Sequence, residues 1–173
     1  KAAASGKKAV IVVTSNRGLA GGYNASVIKL ITGSDLKPDD LLLYTVGNKG
    51  KEYFQHREYT IAKDYSEVIE NPMFSDAKEI CEEVLGGYAA GEISEIYLAY
   101  TYFKNTVVHE PKLLKLLPVE IEEADIEAAK ADSLMNYEPE ETEALEIIIP
   151  KYVTSILYGA LVEAIASENG ARM

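Results

Sequence analysis

The run Ala9-Val10-Ile11-Val12-Val13-Thr14 is β-branched and apolar at nearly every position. That pattern predicts a strand buried on both faces, as in the middle of a parallel sheet covered by helices. After the turn Ser15-Asn16-Arg17-Gly18-Leu19-Ala20-Gly21-Gly22, the spacing of Val27, Ile28 and Ile31 predicts a helix. It starts near Tyr23-Asn24 with Asn24 as N-cap and stops at Gly33. Pro38-Asp39-Asp40 turns the chain into a second strand, Leu41–Val46, and Gly47-Asn48-Lys49-Gly50 leads into a short helix carrying Tyr53 and Phe54. A weak strand is expected around Tyr59–Ala62. Phe74, Ala77, Ile80, Cys81, Val84, Leu85 and Tyr88 recur at intervals of three and four, which predicts a longer helix opening at Asn71-Pro72 and closed by Gly86-Gly87 and Gly91. On its apolar face Cys81 reads as a small buried hydrophobe.

Residues 93–102 read as a strand with partial alternation, and the tyrosines predict one partly wet face. Lys104-Asn105 then turns the chain, and Thr106–Glu110 resumes a strand pattern extending past Pro111 toward Val119. So short a connection cannot cross over a sheet, so the pair is an antiparallel hairpin. Pro111 and Pro118, each lacking an N–H, place its second strand at an edge. The expected fold is α/β: a Rossmann-like, mostly parallel sheet flanked by helices, with one antiparallel edge. Residues 1–8 form a flexible N-terminal segment, 9–137 the α/β globular domain, and 138–173 a C-terminal helix. Within the globular part, residues 120–137 read as an acidic surface loop. The last helix starts at Pro139 with carboxylates in its first turns. Pro150 is expected to kink or restart it. Its stripe Val153, Ile156, Leu157, Ala160, Leu161 and Ala164 runs on to the chain end as if cut there.

Composition narrows the function. The 173 residues carry 17 Lys and Arg against 28 Asp and Glu, a formal net charge of −11. That disfavours nucleic acid and anionic lipid surfaces. One cysteine cannot form an internal disulfide, and with only His56 and His109 beside it no zinc cluster is expected. No apolar run is expected to approach the roughly 20 residues of a membrane-spanning helix, and no signal peptide is evident.

The search for chemistry finds little. A strand–glycine turn–helix unit presents N–H groups to a phosphate, but Gly18-Leu19-Ala20-Gly21-Gly22 fits neither G-x-G-x-x-G nor G-x-x-x-x-G-K-[ST]. A small nucleotide- or phosphate-binding α/β module therefore stands as an alternative reading, beside one in which Gly18, Gly21 and Gly22 only shape a tight turn. His109 beside Glu110 is weak ground for acid–base work. No catalytic, cofactor-binding or metal site is expected.

Several runs together resemble a known family: Val13–Asn24, Val46-Gly47-Asn48-Lys49-Gly50, Tyr102-Phe103-Lys104-Asn105-Thr106, Leu157–Glu163, and above all Ala166-Ser167-Glu168-Asn169-Gly170-Ala171-Arg172-Met173. They are similar to the gamma subunit of the rotary proton-translocating ATP synthase. Two long helices that wind into a coiled-coil shaft flank the globular part in that family, so the resemblance implies a globular domain with truncated shaft helices. It implies a non-catalytic rotor of the central stalk, coupling proton flow to ATP synthesis, with alpha, beta and epsilon subunits and the membrane c-ring as partners. No cofactor and no lipid insertion are implied. Glu168 and Arg172 occupy the shaft motif that meets a beta-subunit loop. The epsilon contact is assigned to the hairpin of Tyr100, Tyr102, Lys104 and Val107, because edge strands and Tyr-rich faces recruit partners. Position 16 is Asn where the family often has Asp. The implied location is peripheral on the cytoplasmic face of a bacterial membrane, or alternatively an organellar inner membrane.

Overall fold

A computed structural model describes residues 6–17, 22–103, 109–118 and 141–172. Five strands form one sheet: β1 (Lys7–Val13), β2 (Leu41–Val46), β3 (Thr60–Asp64), β4 (Ile93–Phe103) and β5 (His109–Leu117). Their order is β3-β2-β1-β4-β5. The pairs β1–β2, β1–β4 and β2–β3 are parallel, and β4–β5 is antiparallel at the edge. The helices are α1 (Tyr23–Thr32), α2 (Asn48–Gln55), α3 (Phe74–Ala89) and α4 (Glu141–Arg172), with short 3-10 helices at Pro38–Asp40 and Ser66–Glu70.

The sheet's two faces explain the unbroken apolar run of β1. Ala9, Ile11 and Val13 point to one side and join Tyr44, Val46, Ile96 and Leu98 under α3 and α4. Val10 and Val12 point to the other and join Leu41, Leu43, Val27, Ile31 and Phe54 under α1 and α2. Alternation with period two thus sends every side chain from Ala9 to Val13 into a core. Each such aliphatic contributes roughly 1.5–3 kcal/mol by leaving water. By contrast β3 buries none of its side chains fully; it exists through pairing with β2, which is why its sequence signal is weak.

Several local expectations are corrected. Asn24 is not the cap of α1: the N-cap is Gly22, at φ 72°, and Asn24 lies inside the helix with its side chain turned back to Ser15. Helix α3 begins at Phe74 rather than at Asn71-Pro72, and Asp76 Oδ2 accepts the Met73 N–H at 2.9 Å, satisfying an otherwise free donor of its first turn. It runs through Gly86 and Gly87 to Ala89. A Cβ on Gly87 would lie 2.6 Å from Ile93 Cδ1, so the glycine lets β4 start close against the helix, and packing overrides the low helix propensity. The second hairpin strand stops at Leu117, and β1 already includes Lys7 and Lys8; Val119 lies outside the described residues. The turn at Lys104-Asn105 and residues 120–137 lie outside the described residues.

Helix α4 passes through Pro150 without restarting. Its Val153, Leu157, Ala160, Leu161 and Ala164 are buried against the sheet and α3. The stretch Ile148–Ala166, with mean hydropathy 1.3, does reach the length and apolarity of a membrane span, against expectation. Its inner side, however, is spent on this core.

Two glycines give opposite expectations. Gly47 sits at φ 104° and a Cβ there would lie 2.0 Å from Thr14 O; Gly86 is exposed with nothing near. Gly47→Ala should cost roughly 3 kcal/mol or more, and Gly86→Ala should stabilise by up to about 1 kcal/mol, both read by urea denaturation. Equal stability of the two variants would contradict the described junction.

Candidate functional site

The carboxyl ends of β1, β2 and β3 meet in a polar cluster. Thr14 Oγ1 donates to Gly47 O at 3.2 Å and accepts from Gly50 N–H at 2.9 Å. Ser15 N–H donates to Asn24 Oδ1 at 2.9 Å, and Asn24 Nδ2 donates to Ser15 Oγ at 2.9 Å. Asn16 is the hub: its Oδ1 accepts the Asn48 N–H at 2.7 Å, and its Nδ2 donates to Ser66 O at 3.2 Å and to the Glu70 carboxylate. On β3, Asp64 Oδ1 accepts from Thr45 Oγ1 at 2.6 Å and from Ser66 Oγ at 2.5 Å. The loops after three neighbouring strands are thereby tied together.

This is where α/β folds bind phosphates, so its free donors matter. At the start of α2 the N–H groups of Asn48, Lys49, Gly50 and Lys51 go to Asn16 Oδ1, Ser15 O, Thr14 Oγ1 and Gly47 O. That N-terminus has no described donor left for an anion. The strand order reverses between β1 and β4, which marks the switch-point crevice. There Tyr23 Oη donates to Ala164 O at 3.0 Å. Since α1 and α4 cover opposite faces, this bond bridges the sheet's carboxyl edge. Gly22 takes the left-handed conformation that only glycine adopts without strain; Gly18 and Gly21 lie outside the described residues. Among the described residues no group of three or more His, Cys, Asp or Glu side chains is placed to hold a metal ion. Cys81 is buried and its thiol pushed up to about 11, first by burial, which opposes a nucleophilic role.

The hairpin residues separate. Tyr100 is only 8% exposed and belongs to the core under α4. Tyr102 is half-buried, with the Lys112 ammonium 4.1 Å above its ring centre. The two share the face of β4 turned toward α4; Tyr100 is corrected from a surface to a core residue because it lies nearer the middle of the strand, while Tyr102, next to the strand's end, keeps more exposure. Burial raises the Glu163 carboxyl nearby, and Lys112 partly offsets it. Lys104 and Val107 lie outside the described residues. Glu168 and Arg172 fall within the last turns of α4.

The sequence reading missed a second seam on α4. Ile148, Tyr152, Ser155, Gly159, Val162 and Ala166 follow one another at intervals of 4, 3, 4, 3 and 4. They lie opposite the buried stripe. Ile148 is 37%, Tyr152 38% and Val162 46% exposed, and a Cβ on Gly159 would meet nothing within 4 Å. Beside this seam, a groove of about 480 Å³ opens between α3 and α4, lined by Phe74, Cys81, Leu85 and Pro150 among others. The heptad spacing was legible, but the small residues in it lowered its apolar signal.

Comparisons with known proteins agree with this architecture. A family model described as ATP synthase matches residues 1–173. The ATP synthase gamma chain of Lachnoclostridium phytofermentans is 58% identical over 175 residues, covering 98% of this chain and 60% of its own length. The sodium ion specific ATP synthase gamma chain of Acetobacterium woodii is 38% identical, covering 96% and 60%. Among solved structures, a chain of the central stalk/c-ring of Tetrahymena thermophila mitochondrial ATP synthase superposes with a TM-score of 0.68 at 24% identity, over 99% of this chain and 76% of that one. This chain therefore spans about 60% of the length of the curated relatives it matches.

Asn16 yields a prediction. In Asn16→Asp the donor to Ser66 O and Glu70 becomes an anion facing two acceptors. The new carboxyl should titrate above its unfolded value, so its neutral form is favoured on folding. The variant should lose about 1–3 kcal/mol at pH 7 and recover part of it as pH falls through the raised pKa toward 4. Denaturation at pH 7 and pH 4.5 checks this; equal loss at both would contradict it.

Proposed function

The chain belongs to the ATP synthase family, and from that premise we propose that it is the globular part of a gamma chain, a non-catalytic rotor domain of the central stalk. The observation that carries this reading is the second seam of α4. Ile148, Ser155 and Val162 recur every seven residues, as do Tyr152, Gly159 and Ala166; such a heptad repeat is the pattern with which two helices supercoil left-handed with their seams in register. Small Ser155, Gly159 and Ala166 form holes for a partner's larger knobs. The opposite side of α4 is cemented into the sheet through Leu157 and Leu161. One helix thus serves as a wall of the globular domain and as one strand of a shaft.

In this reading the shaft turns within a ring of alpha and beta subunits, and Glu168 and Arg172 on the last turns of α4 reach a beta-subunit loop. The globular foot docks the epsilon subunit through the β4–β5 hairpin, with Tyr102, Lys104 and Val107 as contacts, and stands on the c-ring. Proton flow through that ring is transmitted as rotation. The domain lies peripherally on the cytoplasmic face of a bacterial membrane. The internal saturation of the α2 donors fits a rotor, which needs no ligand at that helix start.

The seam gives the test. Gly159→Trp combined with Val162→Asp should leave residues 1–173 within about 1 kcal/mol of the parent, because both positions face outward. In a full-length gamma chain the same pair should abolish assembly with the alpha–beta hexamer or uncouple ATP hydrolysis from ion pumping. Normal assembly and pumping would overturn the shaft reading.

A further inference from the structure

Helices α1 and α4 lie on opposite faces of the sheet, yet one side chain joins them. Tyr23, the first residue of α1, is 9% exposed, and its buried hydroxyl donates to Ala164 O at 3.0 Å. The two residues are 141 positions apart. The bond passes beyond the carboxyl edge, where β1 stops at Val13 and Gly22 turns the chain into α1.

Its place on α4 matters. Ala164 is the last buried residue of α4 among those described, and the helix continues to Arg172. The buried stripe narrows there to small side chains, with Ala160 and Ala164 on either side of Leu161. Apolar burial resists lifting the helix off the sheet, but it is non-directional, and methyl groups interlock little with a neighbour. A hydrogen bond to a main-chain carbonyl is directional and holds the helix backbone itself, not a rotatable side chain. The support behind Tyr23 is firm. Asn24 is tied to Ser15 by two hydrogen bonds, each at 2.9 Å, and Asn16 ties the next position to Asn48 and Ser66.

We propose that Tyr23 is a clamp on α4. It fixes the helix, along and about its axis, at the point where the buried stripe ends, and passes load on the helix into the hydrogen-bonded cluster at the strand ends. Tyr23 is a positioning residue in this sense. The clamp stands on the bond and its surroundings alone; its use in transmitting twist rests on the shaft reading above. The hydroxyl makes the bond and the ring makes the packing, so Tyr23→Phe removes the first and keeps the second.

The test is a pair of spin-label distances in this chain, with labels on cysteines placed at exposed Val162 of α4 and exposed Gln55 of α2. Native Cys81 is buried and stays unlabelled. In Tyr23→Phe the Val162–Gln55 distance distribution should widen or gain a second component, beyond the spread of repeat measurements. A control pair, Gln55 and exposed Glu79 of α3, spans the sheet without α4 and should keep its distribution. Ile80→Val, a core substitution that also lowers stability, should leave both pairs unchanged, because it weakens the fold without touching the clamp. Two results would overturn the proposal: an unchanged Val162–Gln55 distribution in Tyr23→Phe, or equal widening in the control pair or in Ile80→Val, which would make the effect a general loosening.

Discussion

Thr14 and Gly47 meet backbone against backbone, and much of the carboxyl edge follows from that contact. Thr14 N–H donates to Val46 O at 2.8 Å, and the Thr14 hydroxyl bridges Gly47 O and Gly50 N–H. No side chain fits at position 47. The approach fixes where α2 starts, which places the Asn48 N–H on Asn16 and lets Asn16 reach Ser66 and Glu70. A buried hydroxyl with both its donor and acceptor roles filled specifies geometry more strongly than apolar packing, because every alternative strands a polar group.

The same economy separates this sheet from its ligand-binding counterparts. Strand order is that of a dinucleotide-binding half, yet the N–H groups at the start of α2 are satisfied from within. The fold is shared; the use of its strand ends is not. Material that could have built a pocket instead ties loops together and, through Tyr23 and Ala164, joins helices on opposite faces. The result is a stiff body rather than a receptive cleft.

The strongest apolar patterns were readable before any coordinates. β1 announced itself by being apolar at consecutive positions, and α3 by its three–four spacing, because both bury what they display. Misreadings fell where tertiary contact overrides local preference. Gly86-Gly87 looked like a stop, but Ile93 needs the space at Gly87. Asn24 looked like a cap, but Ser15, nine residues back, claims its side chain. The Asn16 hub joins residues up to 54 positions apart, so no window along the chain could assemble it. The second seam of α4 was hidden by its own small residues, and the hydroxyl that joins Tyr23 to Ala164 across 141 positions has no signature in sequence.

Strand β1 stands in the middle of the sheet and precedes all the other strands described. Its two neighbours, β2 and β4, arrive at very different times during synthesis. Until Ile93–Phe103 has left the ribosome, one long edge of β1 has no partner, and the face beneath α4 stays uncovered longer still, until Glu141–Arg172 follows. The nascent chain therefore carries an unbroken apolar strand half-paired until β4 is made, the circumstance in which chains associate wrongly. A fold that is rigid once complete is thus a late-closing one, and its vulnerable period lies in its making.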